Sequence, residues 1–166
     1  MKEPLEMTAG KLLLQQGLTL GTAESCTGGL ISHRMTNIPG SSEYFLGGVA
    51  AYSNAVKEHL LGVQRKTLDQ FGAVSRETVL EMAHGARTAL GALIGLSTSG
   101  IAGPGGGTAE KPVGLVWIGL STPGGDWAWR CQFNGNRMEN KEASAEQALQ
   151  KLVDYLQGKL PTNAGN

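Results

Sequence analysis

The sequence predicts one α/β domain with three layers, α/β/α, around a mixed sheet. Apolar runs of strand length alternate with segments whose apolar residues recur at helical spacing. One of these runs, 113–120, is apolar throughout, as central strands are, and a turn joins it to an alternating run that fits an antiparallel partner. The 166 residues suffice for one stable core, which we place at 1–157.

Helix and strand signals alternate through the first half of the chain. Apolar residues at helical spacing before a glycine predict a helix, alternating apolar residues or a run of small and apolar residues predict a strand, and a serine or asparagine can cap the start of a helix. In chain order they predict a helix over 7–16 ended by Gly17, a strand over 18–23, a helix from near Thr27, a strand over 47–53, and a helix capped by Ser53 or Asn54 that runs to Leu60.

The second half of the chain predicts one more helix that leads to a strand, followed by two antiparallel strands joined by a turn. A capping serine precedes a helical repeat of apolar residues, and a glycine-rich loop separates two apolar runs. These signals predict a helix after Ser75, a strand over 92–100, a loop over 100–112, a strand over 113–120, a turn over 121–126, an antiparallel strand over 127–133, and an amphipathic helix that includes 145–156. We expect the tail, 158–166, to be disordered.

Composition narrows the classes of function. Fourteen basic and fourteen acidic residues give no net charge, so we expect a small-molecule substrate and not nucleic acid. Cys26 and Cys131 lack the spacing of a zinc or disulfide site, and the three histidines lack that of a zinc motif, so we expect no metal. The loop GIAGPGGGT fits neither a dinucleotide fingerprint nor a P-loop, and we expect no cofactor. Since no basic leader or apolar run of membrane-spanning length is found, we expect a cytoplasmic protein without membrane contact.

Reactive side chains follow three predicted strands. Ser25 and Cys26 follow the first strand, Tyr52 lies at the end of the second, and Thr98 and Ser99 lie near the end of the third. In open α/β sheets, ligands bind outside the carboxyl ends of parallel strands. These side chains therefore meet at one site if the three strands are parallel neighbours.

Lys57 is the candidate general base. No histidine stands where a serine triad would need one, and Lys57 lies within one turn of the start of its helix, close to a strand end. The positive end of the helix dipole would lower the pKa of a lysine there. The alternative is a solvated lysine on a short helix, which spacing alone does not exclude.

Five motifs in order resemble the CinA C-terminal domain family, the nicotinamide-nucleotide amidohydrolases also called PncC. They are AESCTGG, YSNAVK, GAVS, SGIAGPGGG and KPVGLVWI, and the match runs from about residue 7 to 157. The resemblance implies hydrolysis of the carboxamide of nicotinamide mononucleotide (NMN) to nicotinic acid mononucleotide and ammonia, by a serine–lysine mechanism without metal. It also implies a homo-oligomer, a dimer or larger.

Three positions, in two segments, depart from the family pattern. The late segment that usually reads GDR with a second arginine is GNRMENK here, with Asn136 for the acid and Lys141 for that arginine. Ser99 stands where threonine is common and keeps the hydroxyl. Lys141 keeps the charge but not the bidentate fork of arginine, which bears on substrate affinity.

The resemblance implies that Ser25 is the nucleophile and Lys57 the base. We expect the backbone N–H groups that follow Ser25 to face the developing oxyanion; they belong to Cys26, Thr27, Gly28 and Gly29. Cys26 is the rival nucleophile, but it would need a thiolate. Tyr52 and Ser99 are expected as hydrogen-bonding partners of the dyad, and Glu24 is expected to point away, since its carboxylate would raise the pKa of Lys57.

The phosphate of the substrate needs cationic or N–H donors. Candidates are Arg137, Lys141 and the loop glycines Gly103, Gly105 and Gly106. For the two charged residues, a solvated position at the start of the last helix is an equal alternative.

Two other functions stay open at this level. One is a catalytically silent nucleotide-binding module that acts in competence or DNA-damage responses through a partner. The other is an amidase of unrelated small amides, which would act equally on nicotinamide or glutamine. Release of ammonia from NMN separates the enzyme from the silent module, and comparable activity on nicotinamide or glutamine would identify the general amidase.

Overall fold

The computed structural model describes residues 1–162 and arranges them as helices on both faces of a five-stranded sheet. In chain order the elements are α1 (Leu5–Gln16), β1 (Leu20–Glu24), α2 (Leu30–Thr36), a 3-10 turn (Ser41–Glu43), β2 (Phe45–Ala50), α3 (Asn54–Leu61), α4 (Arg65–Phe71), α5 (Arg76–Leu90), β3 (Ile94–Gly100), β4 (Leu115–Thr122), β5 (Gly125–Gln132) and α6 (Arg137–Leu156).

The sheet is mixed, as the sequence predicts. Its strand order is β2-β1-β3-β4-β5, with β1 parallel to both β2 and β3, and with β4 antiparallel to both β3 and β5. The carboxyl ends of β1, β2 and β3 therefore lie side by side at one edge. This arrangement confirms that the three strand ends carrying polar side chains are parallel neighbours.

Two apolar cores flank the sheet and give the three layers. On one face, α1, α2 and α6 contribute residues such as Leu13, Ile31 and Leu149 to the larger core, with Ile118 from the sheet. On the other face, Met82 of α5 packs with Leu61 at the end of α3 in a smaller core. The smaller core lies beneath the helix that carries Lys57.

Polar caps fix where two helices begin. The Ser53 hydroxyl accepts a hydrogen bond from the Val56 N–H, so Ser53 caps α3 and Lys57 is the fourth residue of that helix. Asn136 caps α6 in a reciprocal capping box with Glu139. An asparagine therefore performs the capping that the acid usual in the family could also perform.

Some boundaries differ from the sequence prediction. α2 begins at Leu30 and not near Thr27, because the residues before it form a turn in which Gly28 and Gly29 have positive φ. β2 ends at Ala50, so Tyr52 lies beyond the strand. The short helix α4 was not predicted, since seven residues give too few turns for a periodic signal.

The start of the C-terminal tail lies against β5. The Trp127 indole donates a hydrogen bond to the carbonyl of Pro161, and Leu160 packs on the larger core. The rest of the predicted disordered tail, 163–166, lies outside the described residues. Within the described part of the chain, no helix is both long and apolar enough to span a membrane.

A close approach of α5 to β3 requires glycine at position 95. A Cβ atom built on Gly95 would lie 1.9 Å from the Ala83 carbonyl oxygen. We expect Gly95→Ala to lower the free energy of unfolding by about 1–3 kcal/mol, because the helix must move off the sheet. Urea denaturation measures the change, with Gly105→Ala as the control, since nothing lies within 4 Å of that added Cβ. Equal stability of the two variants would contradict the packing described.

Candidate active site

A cavity of about 300 Å³ opens at the edge where β1, β2 and β3 end. Its walls come from the turn after β1, the first turns of α3, the end of β3, the glycine-rich loop and the start of α6. The predicted residues that line it are Ser25, Cys26, Tyr52, Lys57, Ser99, Gly103, Gly105, Gly106 and Arg137. The fold thus gathers most of the predicted site residues around one space.

The turn after β1 presents Ser25 to this cavity. The Ser25 N–H donates to the Thr98 carbonyl of β3 at 3.0 Å, and its own carbonyl accepts from the Gly28 N–H at 3.0 Å. These bonds tie the serine backbone both to the neighbouring strand and to the turn that follows. The position of its hydroxyl is therefore set by the sheet.

Lys57 reaches the same point from α3. Its side chain is 1% exposed, and Nζ donates a hydrogen bond to Ser25 Oγ at 3.2 Å. The alternative of a solvated lysine is therefore wrong. A buried lysine in contact with a serine hydroxyl can exchange a proton with it when its amine is neutral.

The environment of Lys57 favours that neutral amine. Burial lowers the pKa of Lys57 from its ordinary value of 10.5, and the opposing influence is negative charge on Cys26. The Cys26 thiol is itself buried, and burial raises its pKa to about 12. Because that thiol is uncharged at neutral pH, the opposing influence is absent there.

The same burial bears on the choice between the two adjacent nucleophiles. A cysteine attacks as its thiolate, and a pKa near 12 leaves very little thiolate at neutral pH. Cys26 is also packed within the larger core. These properties favour Ser25 as the nucleophile.

Glu24 points away from Lys57, as the sequence predicts, and turns towards α2. Its carboxylate accepts hydrogen bonds from the Thr27 hydroxyl and from the N–H groups of Ile31 and Ser32, and a fourth from the Ser32 hydroxyl. The carboxylate therefore accepts from the first turn of α2 and not from Lys57, whose pKa a nearby carboxylate would raise.

Tyr52 and Ser99 line the cavity as predicted, but they do not make the hydrogen bonds expected of them. The Tyr52 phenol is largely exposed and accepts a hydrogen bond from Arg137 Nη2 at 3.0 Å, so its partner is the arginine and not the dyad. Ser99 is buried in the wall beside the dyad. Within residues 1–162 its hydroxyl makes no hydrogen bond to Lys57 or Ser25, so both expected partnerships are corrected.

The predicted N–H donors divide between two places. The Gly28 N–H is taken by the Ser25 carbonyl, and residues 27–29 line a separate depression. Cys26 lines the cavity, and so do several residues of the glycine-rich loop. Among the cavity-lining residues of the turn and the loop, the backbone N–H groups of Cys26, Ala102, Gly103, Gly105 and Gly106 have no protein acceptor within residues 1–162. The loop therefore offers more free donors than the turn.

The start of α6 holds this loop in place. Arg137 Nη1 donates to the Gly103 carbonyl at 2.7 Å, and the Asn140 amide donates to the Ala102 carbonyl at 3.0 Å while accepting from the Gly135 N–H. The buried Asn140 was missed in the sequence. The sequence does carry a signal for it: Asn140 is a polar residue on the apolar face of the last helix, where a buried amide needs hydrogen-bond partners.

Lys141, one turn after Arg137 on α6, does not line the cavity. Its ammonium stands 3.5 Å from the place a Cβ of Gly28 would occupy, and it lines the depression beside residues 27–29. Of the two cations predicted to hold the phosphate, only Arg137 therefore lines the cavity. No cluster of metal-binding side chains is found within residues 1–162.

Comparison with known proteins identifies the family. The family model of the CinA C-terminal domain matches residues 2–156. The CinA-like protein of Desulfotalea psychrophila is 48% identical over 155 residues, which are 93% of this chain and 38% of that protein. A putative competence-damage inducible protein of Halothermothrix orenii is 54% identical over 89% of this chain and 36% of its own length. The chain thus spans little more than a third of these relatives.

Solved structures agree with that assignment. The competence/damage inducible protein CihA from Agrobacterium tumefaciens superposes with a TM-score of 0.86 at 41% identity, covering 95% of this chain and 99% of that one. A CinA superfamily protein from Klebsiella pneumoniae superposes with a TM-score of 0.89 at 32% identity, covering 93% and 96%. The chain belongs to the CinA C-terminal domain family.

Burial of Lys57 predicts a pH-dependent cost to stability. The lowered pKa means that the unfolded chain binds more protons between the folded pKa and about 10.4, so in that window the contribution of Lys57 to stability rises with pH. We expect Lys57→Met to be more stable than the parent at pH 7, with the gain shrinking as the pH approaches about 10. Thermal unfolding across this range measures it.

Lys66→Met provides the matched control, because Lys66 is an exposed lysine on α4. Its difference from the parent should stay constant over the same pH range. A gain for Lys57→Met that is absent at pH 7, or that grows with pH, would mean that the buried amine carries its full charge.

Proposed function

We propose that this member of the CinA C-terminal domain family is an amidohydrolase with Ser25 as nucleophile and Lys57 as general base. The observation that carries the proposal is the 3.2 Å hydrogen bond between Lys57 Nζ and Ser25 Oγ, made by a lysine that is buried without a carboxylate partner in the described residues. A purely structural lysine would gain more from an acidic partner than from a neutral hydroxyl.

Acylation would begin with proton transfer. The neutral amine of Lys57 takes the proton of Ser25 as its oxygen attacks the carboxamide carbon, which forms the C–O bond and places a negative charge on the carbonyl oxygen. The resulting ammonium then gives the proton to the departing nitrogen. The C–N bond breaks, ammonia leaves, and Ser25 holds the acyl group as an ester.

Deacylation would repeat the sequence with water. Lys57, neutral again, takes a proton from water as its oxygen attacks the ester, and it returns the proton to Ser25 when the C–O bond to the enzyme breaks. Free N–H groups at the cavity can hold the oxyanion in both halves. The candidates include those of Cys26 and Ala102, both of which line the cavity and have no protein acceptor within residues 1–162.

We propose NMN as the substrate. The family resemblance implies it, and the cavity supports a ligand of this class by size and charge. At about 300 Å³ the cavity is at the lower end of the range for small-molecule sites, which suits a mononucleotide better than a dinucleotide. Arg137 at its wall can place guanidinium donors on a phosphate while holding the loop.

Incubation with NMN tests the proposed reaction. We expect the parent to release ammonia from NMN, and Ser25→Ala to bind NMN without forming ammonia. Lys57→Arg should lose about 10²–10⁴-fold in kcat, because a guanidinium cannot be deprotonated in this range. The rate of the parent should rise with pH through an apparent pKa below 10.4, the direction in which burial moves Lys57. An ammonia assay and initial rates across pH 6–10 supply both readouts.

Three outcomes would contradict this assignment in different ways. NMN binding without ammonia would indicate the silent regulatory module. Comparable rates on nicotinamide and glutamine would indicate a general amidase. Activity of Lys57→Arg within about tenfold of the parent would assign Lys57 an electrostatic role in place of base catalysis.

Arg137 and Lys141 should differ in their effect on NMN affinity. We expect Arg137→Lys to raise KM about tenfold or more, because the fork that can hold the loop and a phosphate together is lost. Lys141→Ala should change KM less than about threefold, since Lys141 lines the neighbouring depression. Measurements with nicotinamide riboside, which lacks the phosphate, should show a smaller Arg137 effect. Equal effects of the two substitutions would contradict this placement.

A further inference from the structure

Glu24 is a buried carboxylate that the proposed reaction does not use. It is 1% exposed and is the last residue of β1, directly before Ser25. Oε1 accepts from the Thr27 hydroxyl at 2.7 Å and the Ile31 N–H at 2.8 Å. Oε2 accepts from the Ser32 N–H at 2.9 Å and the Ser32 hydroxyl at 2.8 Å. Both oxygens are therefore occupied by two donors each.

The number of available protons decides which hydroxyl donates and which accepts on the Oε1 side of Glu24. A hydroxyl carries one proton, and a carboxylate only accepts. Because the Thr27 proton goes to Glu24, Thr27 must be the acceptor in its 2.7 Å contact with the Thr98 hydroxyl. The order of donation is then Thr98 to Thr27 to Glu24, from β3 through the turn to β1.

The same count applies on the Oε2 side. The Ser32 hydroxyl donates its proton to Glu24, so it is the acceptor in its 2.8 Å contact with the Thr22 hydroxyl. Donation runs from Thr22 to Ser32 to Glu24. Two chains of hydroxyl groups from β1, β3, the turn and α2 thus converge on one carboxylate.

Ser25 is enclosed by this network without belonging to it. Its neighbours Glu24 and Thr27 are both members, and its N–H donates to the carbonyl of Thr98, a third member. The network therefore fixes the backbone on both sides of the nucleophile. It also commits the Thr98 hydroxyl proton to Thr27.

We propose that Glu24 is the positioning residue of the nucleophile: as the common acceptor of both hydroxyl chains, it holds the turn so that Ser25 Oγ stays within reach of Lys57 Nζ. The inference rests on the proposed role of Ser25 and Lys57, but it does not depend on NMN being the substrate. What it requires is an acceptor at position 24 and a hydroxyl at position 27, since these two groups set the direction of donation.

Labelling of Ser25 by a fluorophosphonate probe tests this role without any substrate. The serine oxygen bonds to phosphorus, fluoride leaves, and Lys57 takes the serine proton, so the rate reports how well Ser25 is presented to its base. The variants are Glu24→Gln, which places an amide NH₂ against two of the donors, and the pair Thr27→Val and Thr27→Ser. Glu43→Gln, a change at an exposed glutamate, is the matched control.

We expect Glu24→Gln to slow labelling by about tenfold or more, with Glu43→Gln unchanged. Thr27→Ser should label faster than Thr27→Val, because serine keeps the hydroxyl that links Thr98 to Glu24. A role in packing alone predicts the reverse, since valine keeps the shape of threonine and serine does not. Peptide mass spectrometry locates the adduct, and thermal unfolding of each variant confirms that it is folded at the labelling temperature.

The other possible results of the labelling experiment also decide whether Glu24 positions Ser25. The reverse order of the two Thr27 variants, or a parent-like rate for Glu24→Gln, would overturn the positioning role. A parent that does not label at Ser25 would overturn it as well, because the serine would then not be presented for reaction. Labelling in the expected order without ammonia from NMN would support the role of Glu24 while removing the proposed substrate.

Discussion

The structure depends on the burial of one amine. Lys57 is enclosed at the edge of the sheet with a serine hydroxyl as its hydrogen-bond partner, and burial lowers its pKa. An unpaired buried ammonium is costly, so the protein stabilises the neutral form, which is the form able to accept a proton. The surroundings preserve that state: the adjacent thiol is uncharged because its own pKa is about 12, and the adjacent carboxylate is turned towards α2. The chemistry proposed for Ser25 follows from this one desolvated base.

The sheet supplies the geometry that the base requires. Because β1 lies between β2 and β3 and runs parallel to both, the turn after β1 and the helix after β2 meet at one edge. Ser25 comes from that turn and Lys57 from that helix, so residues 32 positions apart are placed in contact. The start of α6 closes the arrangement from the opposite side, where Arg137 and Asn140 hold the carbonyls of the glycine-rich loop. Membership of the CinA C-terminal domain family accords with this architecture.

Much of the fold and the centre of the site could be predicted from local signals. The apolar runs, the Ser53 cap and the polar residues at strand ends each reflect a short stretch of chain. The roles of Ser25 and Lys57 were implied by the family resemblance, since spacing alone left a solvated Lys57 open. Side-chain partners could not be predicted in this way. Tyr52 pairs with Arg137 and Lys141 lies over Gly28 because α6 approaches the sheet edge at a particular angle, which no local pattern specifies. Asn140 was missed for the same reason. The oligomeric state, the cytoplasmic location and the absence of a nucleic-acid partner stay predictions.

The most direct measurement is an NMR titration of the Lys57 side chain in the free protein. Carbon-13 labelled lysine, with Lys57→Met to assign the signal, reports the protonation of this amine without substrate or turnover. If burial next to Ser25 sets the state of the amine, its signal should titrate clearly below the exposed lysines, whose ordinary pKa is about 10.4. A Lys57 signal that titrates together with the exposed lysines, or above them, would show a charged amine at neutral pH and would contradict its role as the base.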